Sequence, residues 1–292
     1  MSAYWKANQR RLAPWVFLAP GMVMFLIYVI IPIFQSMWLS FYDWDGLGAK
    51  TWIGTANYVE LFDDEAFTKS LKNNVLWLIL FMLAVPIGLF MAIFLNQTVR
   101  GIRIYKSLFF FPFVISQVVV GLVFGWFFNS QFGLLNEIIG HFGMEPTALL
   151  EGENTATFVV ILAGLWPQIS YCMILYLTGL TAMNSEVIEA ARMDGAKGWN
   201  LLWHIILPQL RPATFIAVVV SVVGALRSFD LVSIMTLGGP YNSSTVLAYA
   251  MYEQTFLNFR YGYGAAIATI LFIIMDVYIA FFLYSMLKRE QR

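Results

Sequence analysis

Four stretches of this chain run without a charged residue for longer than the roughly 20 residues a helix needs to cross a bilayer. They lie between Arg11 and Asp43, Lys72 and Arg100, Lys106 and Glu137, and Glu153 and Glu186. Two more regions qualify if internal charges are accepted. One runs from Arg211 toward Gly238 and holds Arg227 and Asp230; the other runs from Tyr261 to Lys288 and holds Asp276. Composition agrees with this reading. Of 292 residues, 60% are hydrophobic and 12% charged, with a mean hydropathy of +0.73. An average soluble domain is about 25% charged, so the surplus apolar surface has to meet lipid. The expected fold class is all-α: a polytopic membrane protein with six transmembrane helices. Its expected parts are an N-terminal segment 1–13, a six-helix domain 14–287 and a tail 288–292.

Charge sets the expected orientation. With both termini cytoplasmic, the inner side carries Lys6, Arg10, Arg11, Arg100, Arg103, Lys106, Arg192, Lys197, Arg211, Lys288, Arg289 and Arg292. The outer side carries Lys50, Lys69, Lys72 and Arg260, and the first outer loop is acidic, with Asp43, Asp45, Glu60, Asp63, Asp64 and Glu65. The first apolar run is too long for the usual signal-peptide core of about 7–15 residues, so an uncleaved first helix is expected. Equal numbers of basic and acidic residues, 17 each, give nothing for nucleic acid to bind. The single cysteine, Cys172, excludes an intrachain disulfide and reads as a small buried hydrophobe. Gly121 and Gly125 permit close helix contact, and Pro32, Pro86, Pro112 and Pro167 free backbone carbonyls inside spans. Kinks around a path and plain helix bending explain those prolines equally well.

The loop between the fourth and fifth spans, residues 184–211, stands apart. Helix formers run from Glu186 to Met193 with Asn184 or Ser185 as N-cap, Gly195 breaks the helix, and a second helix from Trp199 is expected to end at Pro208. Glu189, Arg192, Asp194 and Lys197 line its outer face, with Ala190 and Ala191 as a shallow apolar surface. Two readings fit: a helix seated in a groove of another protein, or an amphipathic helix on lipid headgroups.

The spacing of Glu189-Ala190-Ala191, Gly195, Ile205 and Leu207-Pro208 resembles the EAA loop of ABC importer permeases. Trp52-Ile53-Gly54, Asn57-Tyr58, Trp166 to Tyr171, Phe229-Asp230 and Thr236-Leu237-Gly238-Gly239-Pro240 with Thr245 resemble the carbohydrate-uptake branch, related to the maltose and glycerol-phosphate permeases. The Gly-Gly-Pro pattern is similar to that of the first partner of the permease pair. The resemblance implies a bacterial inner-membrane permease moving a sugar or sugar derivative inward. It implies a cytoplasmic coupling helix made by Glu189, Ala190, Ala191, Asp194 and Gly195, with Glu189 paired to a base on the ATPase. It further implies a second permease subunit, two ATPase copies and a periplasmic or lipid-anchored binding protein.

The chain has no GxxxxGK[ST] stretch, so ATP and magnesium are expected on a partner and no cofactor on this chain. Neither His141 nor His204 has a second His or Cys at ligand spacing, and no carboxylate pair or Ser/His/Asp set suggests an enzyme. Arg227 and Asp230, three apart, are expected on one helix face. Each charge costs about 2.5–3.5 kcal/mol at the centre of a membrane helix, so neither is expected to face lipid. They either neutralise each other or a charge on the partner permease, with Asp276 competing, or face the substrate, with Trp166 and Tyr171 stacking on a sugar. An ion-coupled secondary transporter using Arg227, Asp230 and Asp276 is the alternative function.

Overall fold

A computed structural model describes residues 3–97 and 99–290. Of the residues that set the expected orientation, Arg292 lies outside these, as do the side chains of Lys6, Arg10, Arg11 and Arg289. Within them the chain is mostly helix, joined by loops and one pair of two-residue antiparallel strands, Tyr42–Asp43 against Thr51–Trp52.

Four helical stretches are long and apolar enough to cross a membrane: Ala13–Leu39, Glu65–Leu95, Ala156–Thr181 and Tyr261–Tyr284. The remaining two expected spans are not straight. The third is two helices, Ile102–Val114 and Gln117–Phe127, meeting at 96°. Pro112 weakens the end of the first helix and Ser116 accepts the Val119 N–H at 3.4 Å to start the second. The fifth is also interrupted. Arg211–Leu226 ends at Arg227, Ser228 donates to the Ala225 carbonyl at 2.8 Å, and a short helix Phe229–Met235 follows. Arg227 and Asp230 are therefore not on one continuous helix, and helical spacing does not put them on a common face. Before Arg211, Gly198–Gln209 meets the same helix at 71°. It carries a π-turn at Leu202–Ile206 and runs one residue past the expected stop at Pro208, which its first-turn position in the final segment tolerates.

Smaller interruptions follow from proline in the same way. The turn at Met82–Leu83 splits the second span four residues before Pro86, where the ring would meet the carbonyl of residue i−4. A π-turn at Leu26–Ile30 precedes Pro32 in the first.

Contacts divide the chain into two units, residues 1–63 with 251–272, and residues 64–250 with 273–292. In the first, Asn57 donates to the Ser40 and Tyr42 carbonyls at 2.8 and 3.0 Å, and Glu60 holds Arg260 with two bonds of 2.7 Å. Arg260 also lies 4.1 Å above the Tyr263 ring. In the second, the fourth span is central. Its face of Cys172, Met173 and Tyr176 packs with Ala84, Ala92, Leu95, Leu210 and Ala217. Gly88 makes that approach possible, since a Cβ there would stand 2.6 Å from Cys172 Cβ and 2.8 Å from the Met173 nitrogen. Cys172 is thus fully buried, as a small residue at a close crossing should be. Gly121 meets Ile234 of the short helix, whereas a Cβ on Gly125 would enter open space.

This contrast gives a stability test. Gly88→Val should destabilise the chain by about 1–3 kcal/mol through overpacking, lowering the unfolding midpoint in detergent and the amount in membranes. Gly125→Ala should change neither.

Candidate functional site

The loop between the fourth and fifth spans is built by its caps. Asn184 accepts the Glu186 N–H at 2.9 Å and starts Ser185–Met193. At the other end Gly195 has φ +89°, and the Ala196 N–H closes back on the Ala191 carbonyl at 2.9 Å. This is the left-handed stop that glycine takes without steric cost. A Cβ on Gly195 would meet nothing, so the glycine is required by its backbone angle rather than by space. Glu189, Ala190, Arg192, Asp194 and Lys197 are exposed. Ala191 is not part of this surface: only 9% exposed, it turns inward where the helix packs on the following one. Met193, 88% exposed, supplies the apolar element instead. Glu189 has no ion-pair partner among the described residues.

The second site is a cavity of about 450 Å³ inside the second unit. It is lined by Trp77 and Phe81 of the second span, Gln168 and Tyr171 of the fourth, and Val220, Val223 and Gly224 of the fifth. Gln117 and Arg227, Ser228 and Asp230 join at the two helix breaks. The half-helices Gln117–Phe127 and Phe229–Met235 pack together, and both begin at this cavity. Both end at a second cavity of about 600 Å³, lined by Phe128, Asn129, Met235 and Thr236, so they run parallel. Non-helical backbone at membrane depth is tolerated where it lines such a space.

The polar groups of the first cavity are mostly unspent. Gln168 donates to Ser221 Oγ at 2.8 Å, and its Oε1 stands 3.5 Å from where a Gly224 Cβ would be. Arg227, Asp230 and Gln117 are exposed, and among the described residues neither Arg227 nor Asp230 has an ion-pair partner. Tyr171 stacks on Phe113 with ring centroids 4.6 Å apart. The cavity thus offers a guanidinium, a carboxylate, two amides and aromatic walls, with no net charge. In the second cavity the polar atoms are engaged: Asn129 accepts from the Gln131 and Phe132 N–H groups, and Ser130 donates to Glu151.

Of the residues singled out from sequence, the cavity gathers Arg227, Asp230 and Tyr171. Trp166 stands outside it, edge-on to Phe124 at 5.6 Å, and Asp276 is exposed on the last helix and does not line it. Gln117 and Gln168 were missed; the signal was a glutamine inside an apolar run. The Gly-Gly-Pro segment is fixed through Thr245, which the sequence marked, and through Asn73, Asn74 and Ser244, which it did not. Asn73 donates to the Ser243 and Thr245 carbonyls at 2.6 and 2.8 Å, and Asn74 accepts the Leu247 N–H at 2.8 Å. Ser244 and Thr245 bond back to the Gly239 and Gly238 carbonyls at 2.7 and 3.0 Å.

Comparison with known proteins places these features in a common frame. Residues 65–292 match the family model described as the binding-protein-dependent transport system inner membrane component. The chain is 37% identical over 273 residues to the probable ABC transporter permease protein YurN of Bacillus subtilis, covering 91% of this chain and 93% of that one. It is 34% identical to the multiple sugar-binding transport system permease protein MsmF of Streptococcus mutans, with 90% and 91% covered. To the sn-glycerol-3-phosphate transport system permease protein UgpA of Agrobacterium fabrum it is 31% identical, with 93% of each covered. The fold matches a chain of a bacterial ABC transporter that imports the acidic polysaccharide alginate, with a TM-score of 0.84, 22% identity, and 97% and 98% of the two chains covered. The chain belongs to the family of inner membrane components of binding-protein-dependent transport systems: it is an ABC transporter permease.

Proposed function

We propose that this permease moves a sugar or sugar derivative inward, driven by ATP hydrolysis on a separate subunit that docks on Ser185–Met193. The observation that carries the reading is that helix itself: capped at both ends, exposed, and bearing an unpaired Glu189 within the EAA spacing. The names of the sugar and glycerol-phosphate relatives, matched over about nine-tenths of the chain, support the substrate class. An aromatic-walled cavity with unspent donors and acceptors is the kind of site that hydroxyl-rich solutes need. Family membership gives no support to an ion-coupled mechanism.

In this reading both termini are cytoplasmic, following the charge asymmetry, and residues 14–287 form the permease domain with its coupling loop at 184–211. A second permease completes the pathway, two ATPase subunits bind ATP with magnesium, and no cofactor resides on this chain. A periplasmic or lipid-anchored binding protein delivers the substrate, and the solved alginate transporter was captured with its pentasaccharide-bound periplasmic protein. The acidic first outer loop is a candidate contact for the delivering protein.

Two measurements test this. Glu189→Lys reverses a charge at the docking surface, and Gly195→Val forces a β-branched residue to positive φ at a cost of about 1–2 kcal/mol. Both should abolish sugar uptake by the assembled transporter and weaken co-purification of the ATPase, with membrane abundance kept. Normal uptake in both would remove the coupling assignment. In the cavity, Arg227→Ala and Asp230→Ala should leave abundance unchanged, because the two do not pair. Each should cut uptake about 10- to 100-fold, the loss of one charged hydrogen bond worth about 1.5–3 kcal/mol, without recovery in the double variant. Lost abundance restored by the double variant would instead reveal a structural pair.

A further inference from the structure

The second half of the coupling loop, Gly198–Gln209, exposes two tryptophans one turn apart. Trp199 and Trp203 are 72% and 60% exposed, with ring centroids 6.5 Å apart and planes at 24°. They are not core residues displaced outward, because the helix already has a packed face: Leu201 and, just beyond its end, Leu210 are buried. Asn200 and His204 stand beside the pair, also exposed. A stacked indole pair edged by polar groups suits the membrane–water boundary, where the apolar ring meets acyl chains and its one N–H donor meets water or headgroups.

Three features select lipid over protein as what covers this face. The helix is continuous with a span, which it meets at 71°, so when Arg211–Leu226 crosses the bilayer the preceding helix lies near the membrane plane. At 1.5 Å per residue it is about 18 Å long, too short to cross hydrocarbon roughly 30 Å thick. Basic residues bracket it, Lys197 before and Arg211 after, a distribution that matches anionic headgroups. The preceding helix differs: it presents Glu189, Arg192 and Asp194 together, the mixed-charge surface of a protein contact.

We propose that Gly198–Gln209 is an interfacial helix, anchored by Trp199 and Trp203 in the anionic phospholipid headgroup layer of the leaflet on the coupling-loop side. The loop then has two halves with two partners. Ser185–Met193 takes the ATPase, while Gly198–Gln209 rests on lipid and fixes the point about which the loop turns into the fifth span. This assignment adds to the proposed function and stands whatever the substrate.

Nitroxide labels report depth directly. The native Cys172 is buried and would be replaced in a Cys172→Ala background. Labels would be attached at Trp199→Cys and, separately, at Glu189→Cys, with the full chain in liposomes of phosphatidylethanolamine and phosphatidylglycerol. Should Trp199→Cys fail to accumulate, Asn200→Cys samples the same helix. The label at 199 or 200 should be shielded from an aqueous nickel chelate and open to oxygen, about 5–10 Å into the headgroup–acyl boundary. The label at 189 should show the reverse. Water accessibility at 199 or 200 that disappears only when the ATPase binds would overturn the proposal in favour of a protein contact. Burial at the bilayer centre would overturn it in favour of a broken span.

Discussion

Hydrocarbon offers no hydrogen-bond partner to a peptide group, and the rest of this structure is arranged around that fact. Two of the places where a span departs from straight helix have their own substitute. Ser116 caps the restart of the third span, and Ser228 takes the Ala225 carbonyl at the break in the fifth. The restarts are also where the cavity lies, with Gln117 at one and Arg227 and Asp230 at the other. Breaking two spans at the same cavity thus does two things together. It brings polar side chains to a space inside the helical bundle, and it keeps the exposed backbone away from lipid. Charges that would cost about 2.5–3.5 kcal/mol each against hydrocarbon are tolerated because they face that space.

The same reasoning divides the coupling loop. Asn184 and Gly195 isolate one short helix by capping it at both ends. In the proposed function, the 71° turn at Leu210 is where a displacement of that helix would pass into the fifth span, whose far end breaks at the cavity. One covalent path of about 40 residues, at 1.5 Å rise where helical, therefore links the docking surface to Arg227 and Asp230. In the proposed function, that path is the one that carries the coupling.

Much of this was legible in the sequence. Long uncharged runs fixed the helical membrane class, and Asn184, Gly195 and the surrounding helix formers located the loop helix to within a residue. What failed has a common cause. Helical spacing assumes an unbroken helix, so Arg227 and Asp230 were set on one face when Ser228 in fact ends the register between them. Ala191 was placed on the outer surface because a motif gives no phase; the packing against Gly198–Gln209 turns it in. Asn73 and Asn74 gave no signal, because their work is to bond backbone carbonyl and N–H groups some 170 residues away. Trp166, five residues before Tyr171, stands about 140° around the helix from it, off the face that lines the cavity.

The account rests on one claim above all, that Ser185–Met193 is the surface through which ATP hydrolysis reaches the spans. Cysteine crosslinking in the assembled transporter tests it most directly, with Cys172 replaced by alanine and a single cysteine at Ala190. A crosslink to the ATPase subunit that forms in native membranes and changes in yield between nucleotide-free and ATP-bound states is the predicted result. No crosslink from position 190 in any nucleotide state, with the transporter intact and active, would contradict it.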